Sequence, residues 1–513
     1  MKSKIRYARD YAVGSVTQRL YGSFIEHMTR CVYGGVYEPS HPTADAAGFR
    51  NDVKAAVRDA GVKLVRYPGG NFVSGYCWKD GIGPRERRPV RPNLAWNTLE
   101  TNEVGTDEML RWCRELNIEP MMTVNLGTGL PREAAELVEY CNVRQGTAWS
   151  DLRRENGTAE PYGVRLWCLG NEMDGSWQLG NCPAGEYAQR FREAALLMRR
   201  VDPGLELVAC GSSSNEPGHR SFGVWDRTVL EAAYEEIDYL SLHRYYGYDV
   251  RQDLIYPRVE TLRDGAYMGT DLEELLKTVG GAIDYVKGIR RSAHEVALSL
   301  DELSLLPHPA ALPDGTPCHE FTLMDAVLYG GLLCVVLNHA DRVKIQCQSL
   351  LVNENGLYTT LPGGGMIPQS IVYPYRDFTH YARGVALLGA GNGPLIETDH
   401  FGQQPGLRTA CTWDEDTGAL TVFAANAAPD EPAELTLDLS DFDKPAIIEH
   451  LELAGPSPDA RNTCAARGTV QPSRAALPPR RGNAFTAWLR PCSWNVLRFR
   501  CENKQKESVA YDA

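Results

Sequence analysis

Val164-Arg-Leu-Trp-Cys-Leu169, followed at once by Gly170-Asn171-Glu172, is the stretch that decides how the rest of the chain reads. A short apolar run ends in a polar cluster, and seven further segments do the same: Leu20–Phe24, Lys63–Arg66, Pro120–Val124, Glu206–Cys210, Tyr239–Leu242, Val296–Leu300 and Val343–Cys347. Between them lie segments of helical period. Val53, Ala56, Val57 and Ala60 share one face before Gly61. Met109, Trp112, Cys113 and Leu116 share another, and Leu272, Leu275, Leu276, Val279, Ile283 and Val286 a third. Strand–helix alternation predicts a parallel sheet with crossover helices, and eight such units predict closure into a TM-type (β/α)8, or TIM, barrel. An open doubly wound sheet would want a Gly-rich turn after its first strand. Glu26, His27 and Met28 stand there instead.

Beyond about residue 385 the period changes to two, with Leu435, Leu437 and Leu439, then Leu497 and Phe499, separated by turns at Pro429-Asp430 and Pro456-Ser457-Pro458. This predicts a small antiparallel β-sandwich. The expected division is an α/β barrel over residues 16–380, a sandwich over 381–502, and a polar tail over 503–513.

The 513 residues exceed what one hydrophobic core organises. Sixty-six acidic against 53 basic residues give a net charge of −13, which disfavours nucleic acid and anionic membranes as partners and is indifferent to a neutral sugar. Met1 to Asp10 has charges and no apolar core, unlike a secretory signal. The longest apolar run, Ala326 to Leu337, is about half the ~20 residues of a membrane helix and reads as a buried helix. Fourteen cysteines without a C-x-x-C pair, several of them in apolar segments, predict reduced thiols and a cytoplasmic location. The 11 histidines form no ligand cluster, so neither metal nor other cofactor is expected.

A barrel of this kind carries its site at the C-terminal ends of the strands. There the sequence places Glu26-His27, Arg66 to Asn71, Gly170-Asn171-Glu172, His243-Arg-Tyr245 and Asp301-Glu302. Hydrolysis of a glycosidic bond needs one protonated and one ionised carboxyl group, and Glu172 with Glu302 is the natural pair. Glu172 would be the acid/base, with a raised pKa. Glu302 would be the nucleophile, with Arg66 as the nearby cation that favours its ionised form and Tyr245 to orient it. Asn171 could donate to a sugar 2-hydroxyl. A single glutamate after a strand is more often a helix N-terminal charge or a solvated loop residue; the convergence of several strand ends is what outweighs that reading. Asp301 reads as a structural partner of an arginine or the backbone. His243 is either a hydrogen-bonding member of the site or a satisfied core histidine. Trp78 and Trp96 look exposed, and are equally readable as sugar-stacking or packing residues. Gly69-Gly70 reads as a tight turn that lets Asn71 point inward.

These residues lie in stretches that resemble family 51 glycoside hydrolases, the α-L-arabinofuranosidases. The matching stretches are Tyr21-Gly-Ser-Phe-Ile-Glu-His27, Tyr33-Gly-Gly-Val-Tyr-Glu-Pro39, Arg66-Tyr-Pro-Gly-Gly-Asn-Phe-Val-Ser-Gly75, Glu100-Thr-Asn102 and Val124-Asn-Leu-Gly127. They continue with Trp167-Cys-Leu-Gly-Asn-Glu-Met-Asp-Gly175, Cys210-Gly-Ser-Ser213, Ser241-Leu-His243, Asp341-Arg-Val-Lys-Ile345 and Ser493-Trp-Asn-Val496. The resemblance spans nearly the whole chain. It implies Glu172 as acid/base and Glu302 as nucleophile. It implies that Glu26, Asn71, Asn171 and Tyr245 hold the arabinofuranose ring, that Arg66 stands beside the nucleophile, that His243 is a site histidine, and that Trp96 lies near the leaving group. It also places residues 1–15 with the sandwich and suggests a homo-oligomer, a hexamer in many members. The chain departs from the family pattern at Leu303-Ser304 after the nucleophile, in a shortened loop from Leu305 to Glu320, and at Leu350, where the family commonly has a sugar-contacting glutamine. The expected function is retaining, exo-acting release of terminal α-L-arabinofuranosyl residues from arabino-oligosaccharides. The departures leave open another furanoside, such as a galactofuranoside, and a non-catalytic sugar-binding protein is the reading from a different class.

Overall fold

The structure, a computed structural model, describes residues 1–214, 222–247 and 259–502. Eight parallel strands close into a barrel: β1 (Gly22–Phe24), β2 (Leu64–Tyr67), β3 (Glu119–Val124), β4 (Leu166–Leu169), β5 (Glu206–Cys210), β6 (Tyr239–Tyr246), β7 (Ala297–Leu305) and β8 (Val343–Gln348). Each strand hydrogen-bonds to its sequence neighbours, and β8 returns to β1 through Cys347–Gly22 and Gln348–Ser23. A helix follows every strand, from Asn51–Asp59 after β1 to Val372–Tyr381 after β8. The helical faces read from the sequence are the ones that pack: Val53, Val57, Met109, Trp112, Leu272 and Ile283 are all buried. Helix Leu323–Asn338 contains the long apolar run and is buried on all sides, wedged between barrel and sandwich. Among the described residues no helix is long and apolar enough to cross a membrane, and all fourteen cysteines are free thiols.

Strands β6 and β7 outrun their sequence-based ends, and this matters for the site. His243 and Tyr245 lie inside β6, and Asp301 and Glu302 inside β7, rather than in loops beyond them. The register shifts between Ser241 and His243, and past the shift His243 pairs with Glu302 and Tyr245 with Ser304. The two strands thus continue as a paired ribbon above the barrel, and the period of two turns His243, Tyr245 and Glu302 to the same face. Leu303, between Glu302 and Ser304, faces the other way and is fully buried in the apolar core. One departure from the family pattern therefore lies outside the site.

Two sheets form the second layer of the molecule. Five strands order as Ala390–Asn392, Lys2–Arg6, Ala433–Asp438, Ala484–Leu489 and Arg480–Arg481. Seven more run from Ala12–Ser15 through Val385–Leu387, Leu407–Asp414, Ala419–Asn426, Ser493–Arg500 and Ala446–Leu453 to Pro472–Arg474. Leu435, Leu437, Leu439, Leu497 and Phe499, the period-two set, fill the core between them. The pairing is antiparallel except where Lys2–Arg6 runs parallel to Ala433–Asp438. The N-terminal segment supplies a strand to each sheet. The sandwich meets the barrel at Trp494, whose indole donates to Asp377 Oδ2 (3.0 Å). A Cβ at Gly330 would sit 2.4 Å from the Trp494 ring, so only glycine lets helix Leu323–Asn338 approach this closely. The tail at 503–513 lies outside the described residues.

Candidate active site

Arg66, at the end of β2, organises the barrel mouth. Its Nη1 donates to Glu302 Oε1 (2.6 Å), its Nη2 to Asn171 Oδ1 (2.7 Å), and its Nε lies 3.1 Å from Asp301 Oδ2. The guanidinium also lies over the Phe24 ring, 5.0 Å from its centroid. One buried cation thus addresses Asp301 and Glu302 on β7 and Asn171 just past β4 through its forked donors, while its face rests on Phe24 of β1. Asp301 is held further by the Ser241 hydroxyl (2.6 Å). Burial presses the Asp301 carboxyl upward, but Arg66 and the hydrogen bonds outweigh it and hold it below the usual range. It is a structural partner of arginine, as its sequence context suggests.

Glu172 and Glu302 face each other. One ligating atom each from Glu172, His243 and Glu302 lies within 4.8 Å of the others, so a Glu172 oxygen and a Glu302 oxygen come that close. Their surroundings differ. Glu302 accepts from Arg66 on Oε1 and from the Tyr245 hydroxyl on Oε2 (2.5 Å). Among the described residues Glu172 meets no arginine. It accepts from the Trp177 indole on Oε2 (2.5 Å) and pairs with His243 Nδ1 through Oε1 (2.9 Å). Burial, followed by the charge of Glu302, pushes its pKa up against the opposing pull of these hydrogen bonds. Its backbone is in the left-handed region, at φ 43°, where a non-glycine side chain is strained. That strain is concentrated at the residue whose aim matters most.

His243 is a member of the site. Burial favours its neutral form, yet Glu302, Asp301 and Glu172 together outweigh burial and push it up to about 10. Nδ1 lies 3.6 Å from Glu302 Oε2 and Nε2 3.9 Å from Asp301 Oδ1, so the imidazolium bridges the carboxyl groups.

The ring-holding candidates gather around Glu26. Its Oε1 accepts from the Phe72 backbone N–H (2.8 Å) and the Trp96 indole (3.0 Å). A Cβ at Gly69 would come within 2.6 Å of the Glu26 side chain and one at Gly70 within 2.7 Å. The glycine pair therefore lets the turn pass against Glu26 as well as aiming Asn71. Asn71 Oδ1 accepts from Asn171 Nδ2 (3.3 Å). Trp96 is partly buried on a hairpin, Arg91–Asn93 paired with Thr98–Glu100. Asn93 Nδ2 ties the hairpin to the His27 carbonyl (2.7 Å), and His27 Nδ1 meets Glu100 Oε2 (2.6 Å). Trp78, which looks exposed in the sequence, is not. It is buried against Tyr140 and Trp149, with its indole donating to the Glu133 carbonyl (3.1 Å).

Two residues at the site carry no signal that the sequence reading used. Trp177 lies five positions past Glu172 in a Gly- and Ser-containing loop, and Ser349 follows β8 and reaches the Tyr245 hydroxyl (2.8 Å). Ser304 accepts from Gln348 Nε2 (3.0 Å), and Leu350 is buried. The stretch from Leu305 to Glu320 is a hairpin of His308–Ala311 with Pro317–Glu320.

The sequence matches the family models described as Alpha-L-arabinofuranosidase 1 domain, over residues 56–252, and Alpha-L-arabinofuranosidase C-terminal domain, over 308–493. It is 42% identical to the intracellular exo-alpha-(1->5)-L-arabinofuranosidase 1 of Bacillus subtilis (strain 168), covering 97% of this chain and 99% of that one. The chain belongs to the α-L-arabinofuranosidase family. A second relative, an exo-alpha-(1->6)-L-arabinofuranosidase of Bifidobacterium longum, is 36% identical over 97% of both chains. The fold superposes on a family 51 alpha-L-arabinofuranosidase from Bifidobacterium longum with a TM-score of 0.90 at 38% identity, covering 97% of this chain and 99% of that one. It also superposes on the arabinose complex of the Thermotoga maritima alpha-L-arabinofuranosidase with a TM-score of 0.85 at 30% identity, covering 97% and 99%. The family's barrel-plus-sandwich architecture is thus that of this chain.

Site electrostatics carry a consequence for stability. Burial pushes Glu26 up to about 8, above its unfolded value, so the folded protein binds its proton more tightly than the unfolded chain. His243, raised to about 10, acts in the same direction. Both contributions are present at low pH and are lost as pH rises through the folded-state values. Tm is therefore expected to fall from about pH 5 to about pH 10, and Glu26→Gln, whose side chain does not titrate, is expected to flatten the part of the fall below about pH 8. Differential scanning calorimetry across that range checks it, and a Tm that rises in the wild type would contradict it.

Proposed function

We propose that this protein is a retaining, exo-acting α-L-arabinofuranosidase that removes terminal non-reducing arabinofuranosyl residues from arabino-oligosaccharides. The observation that carries the reading is the carboxyl pair. Glu172 and Glu302 approach within 4.8 Å in unlike environments, near the ~5–5.5 Å separation of retaining enzymes and short of the room a water-activating pair needs. Glu302, with an arginine and a phenol each donating to one oxygen, suits an anionic nucleophile. Glu172, with no arginine partner among the described residues and with a raised pKa, suits a proton donor. In the first step Glu302 attacks the anomeric carbon while Glu172 protonates the departing oxygen. In the second, Glu172 takes a proton from water, whose oxygen displaces Glu302 and frees the sugar.

Glu26, Asn71, Asn171 and Tyr245 are the groups we assign to the ring hydroxyls, with Arg66 and His243 setting the charge around the pair. Among the described residues Asn171 Nδ2 makes only long contacts, to Asn71 and Gln178 (3.3 and 3.5 Å), which leaves it able to donate to a 2-hydroxyl. Trp96 bonds to Glu26, so we place it as a wall of the sugar pocket on the leaving-group side. The named relatives act on arabinofuranosides, and that favours this sugar over a galactofuranoside. They carry both 1->5 and 1->6 linkages, so the linkage is left open. Relatives named intracellular support a cytoplasmic enzyme. Assembly into a homo-oligomer, a hexamer in many family members, belongs to the same reading, and exposed Val90, Leu99 and Trp488 offer apolar surface for it.

The test is hydrolysis of 4-nitrophenyl α-L-arabinofuranoside in the presence of methanol, followed by proton NMR. Release of 4-nitrophenol with methyl α-L-arabinofuranoside as the transfer product is expected. The β-anomer as product, or no release, would remove the proposal.

A further inference from the structure

The Tyr245 hydroxyl has two partners, and chemistry fixes the direction of both bonds. It lies 2.5 Å from Glu302 Oε2 and 2.8 Å from Ser349 Oγ. An ionised carboxylate only accepts, so the single phenolic proton belongs on Glu302. The alternative, with the proton turned toward Ser349, would set a phenol lone pair against the carboxylate at 2.5 Å. The phenol oxygen is left to accept, and the serine hydroxyl to donate. We propose that Ser349 is a positioning residue for the nucleophile: through a one-way chain, Ser349 to Tyr245 to Glu302, it holds the phenolic proton on Glu302 Oε2.

Ser349 is built for this task. It is buried, at 2% exposure, where a hydroxyl without a partner would be costly. Its backbone is tied on both sides: its N–H donates to the Leu303 carbonyl (3.3 Å), and its carbonyl accepts from Gln348 Nε2 (2.8 Å). One anchor lies on β7, the strand that carries the nucleophile, and the other at the end of its neighbour β8, so the hydroxyl is placed relative to Glu302 by the barrel itself. A donor pointing into the phenol oxygen polarises the O–H beyond it, and such chains strengthen one another in a low-dielectric interior. It also removes the rotor's alternative, since a phenol that must accept from Ser349 cannot swing its proton away from Glu302. Burial and the charge of Glu302 raise the Tyr245 pKa far above that of a free phenol, and the Ser349 hydroxyl works against that rise.

The inference rests on the proposed role of Glu302, and its test has one arm that does not. Ser349→Ala removes the hydroxyl, Ser349→Cys keeps the volume with a weak donor, and Ser349→Thr keeps the hydroxyl. Infrared difference spectra against Tyr245→Phe isolate the phenol C–O stretch of Tyr245, which distinguishes a phenol that donates and accepts from one that only donates. The band is expected to move to the donor-only position in the Ala and Cys variants and to stay in place in Thr. On 4-nitrophenyl α-L-arabinofuranoside, kcat is expected to fall about three- to ten-fold in Ala and Cys, the size of one neutral hydrogen bond, with KM little changed and Thr restoring the rate. A band that does not move in Ala overturns the chain, whatever the activity. A band that moves while kcat stays at the wild-type value overturns the positioning role. A wild type that leaves arabinofuranosides intact sinks the proposed activity, and the band still decides the chain by itself.

Discussion

Replacing Glu302 by alanine is expected to lower kcat on 4-nitrophenyl α-L-arabinofuranoside by about 10⁴-fold or more, the loss seen when a covalent nucleophile is deleted. The size follows from position. Glu302 is the only member of the carboxyl pair that Arg66 and Tyr245 both address; the guanidinium has no lone pair to attack with, and burial holds the Tyr245 phenol in its protonated, weakly nucleophilic form. His243 Nδ1 is close, 3.6 Å from Glu302 Oε2, but it is taken up by Glu172 Oε1 at 2.9 Å. Loss of the side chain also opens a space beside a buried cation, where a small anion is stabilised. Azide is therefore expected to restore turnover and to yield the β-L-arabinofuranosyl azide, because a single displacement inverts the centre. The fold should survive the change, since Arg66 keeps Asp301 at 3.1 Å and Asn171 at 2.7 Å. Activity within about tenfold of wild type, or a rescued product of retained configuration, would take the nucleophile's role from Glu302.

Much of this site could be read before any coordinates. Strand ends are legible because an apolar run must stop where it meets water, and at a barrel's C-terminal rim the residue that stops it is also the one that faces the ligand. Glu26, Asn71, Asn171 and Glu172 follow strands in that sense, and Arg66 lies at the end of one. His243, Tyr245 and Glu302 were reached by the same logic, although their strands do not end there. The pairing of His243 with Glu302 continues past the register shift, a matter of backbone hydrogen bonds that composition does not encode. Trp78 misled for a related reason: it follows the polar turn of the β2 loop, but the loop folds back and seats it against Trp149. Trp177 and Ser349 were illegible because each meets the site through a side-chain contact that no sequence period announces. Trp177 reaches Glu172 from the same loop, and Ser349 reaches Tyr245 across 104 positions. The place of Lys2–Arg6 in the sandwich was expected from the resemblance, but its parallel direction was hidden, since a period of two is the same for either direction of pairing.

Replacing Glu172 by alanine is expected to separate the two chemical steps by leaving group. With an arabinosyl leaving group, whose oxygen needs a proton as the bond breaks, kcat/KM is expected to fall by about 10³- to 10⁴-fold, the upper range for a positioned general acid. With 4-nitrophenol, which departs as the anion, the first step is expected to survive and the second to become limiting. The variant should then show a burst of 4-nitrophenol equal to the enzyme concentration, followed by slow turnover. The pH dependence carries the same assignment. Glu172 must hold a proton to act, and burial raises its pKa, so wild-type activity on oligosaccharides falls on the alkaline side as pH rises through that raised value. His243 does not supply this limb in the same way, because its charge is set by Glu302 and Asp301 and persists to about pH 10. In Glu172→Ala the residual rate on the aryl substrate should lose its alkaline limb, since the group that titrates there is gone. The geometry supports the assignment: Trp177 and His243 take one oxygen each, and a Glu172 oxygen still lies within 4.8 Å of Glu302. An equal loss on both substrates, with no burst and an unchanged alkaline limb, would show that Glu172 binds the sugar and that its proton goes nowhere.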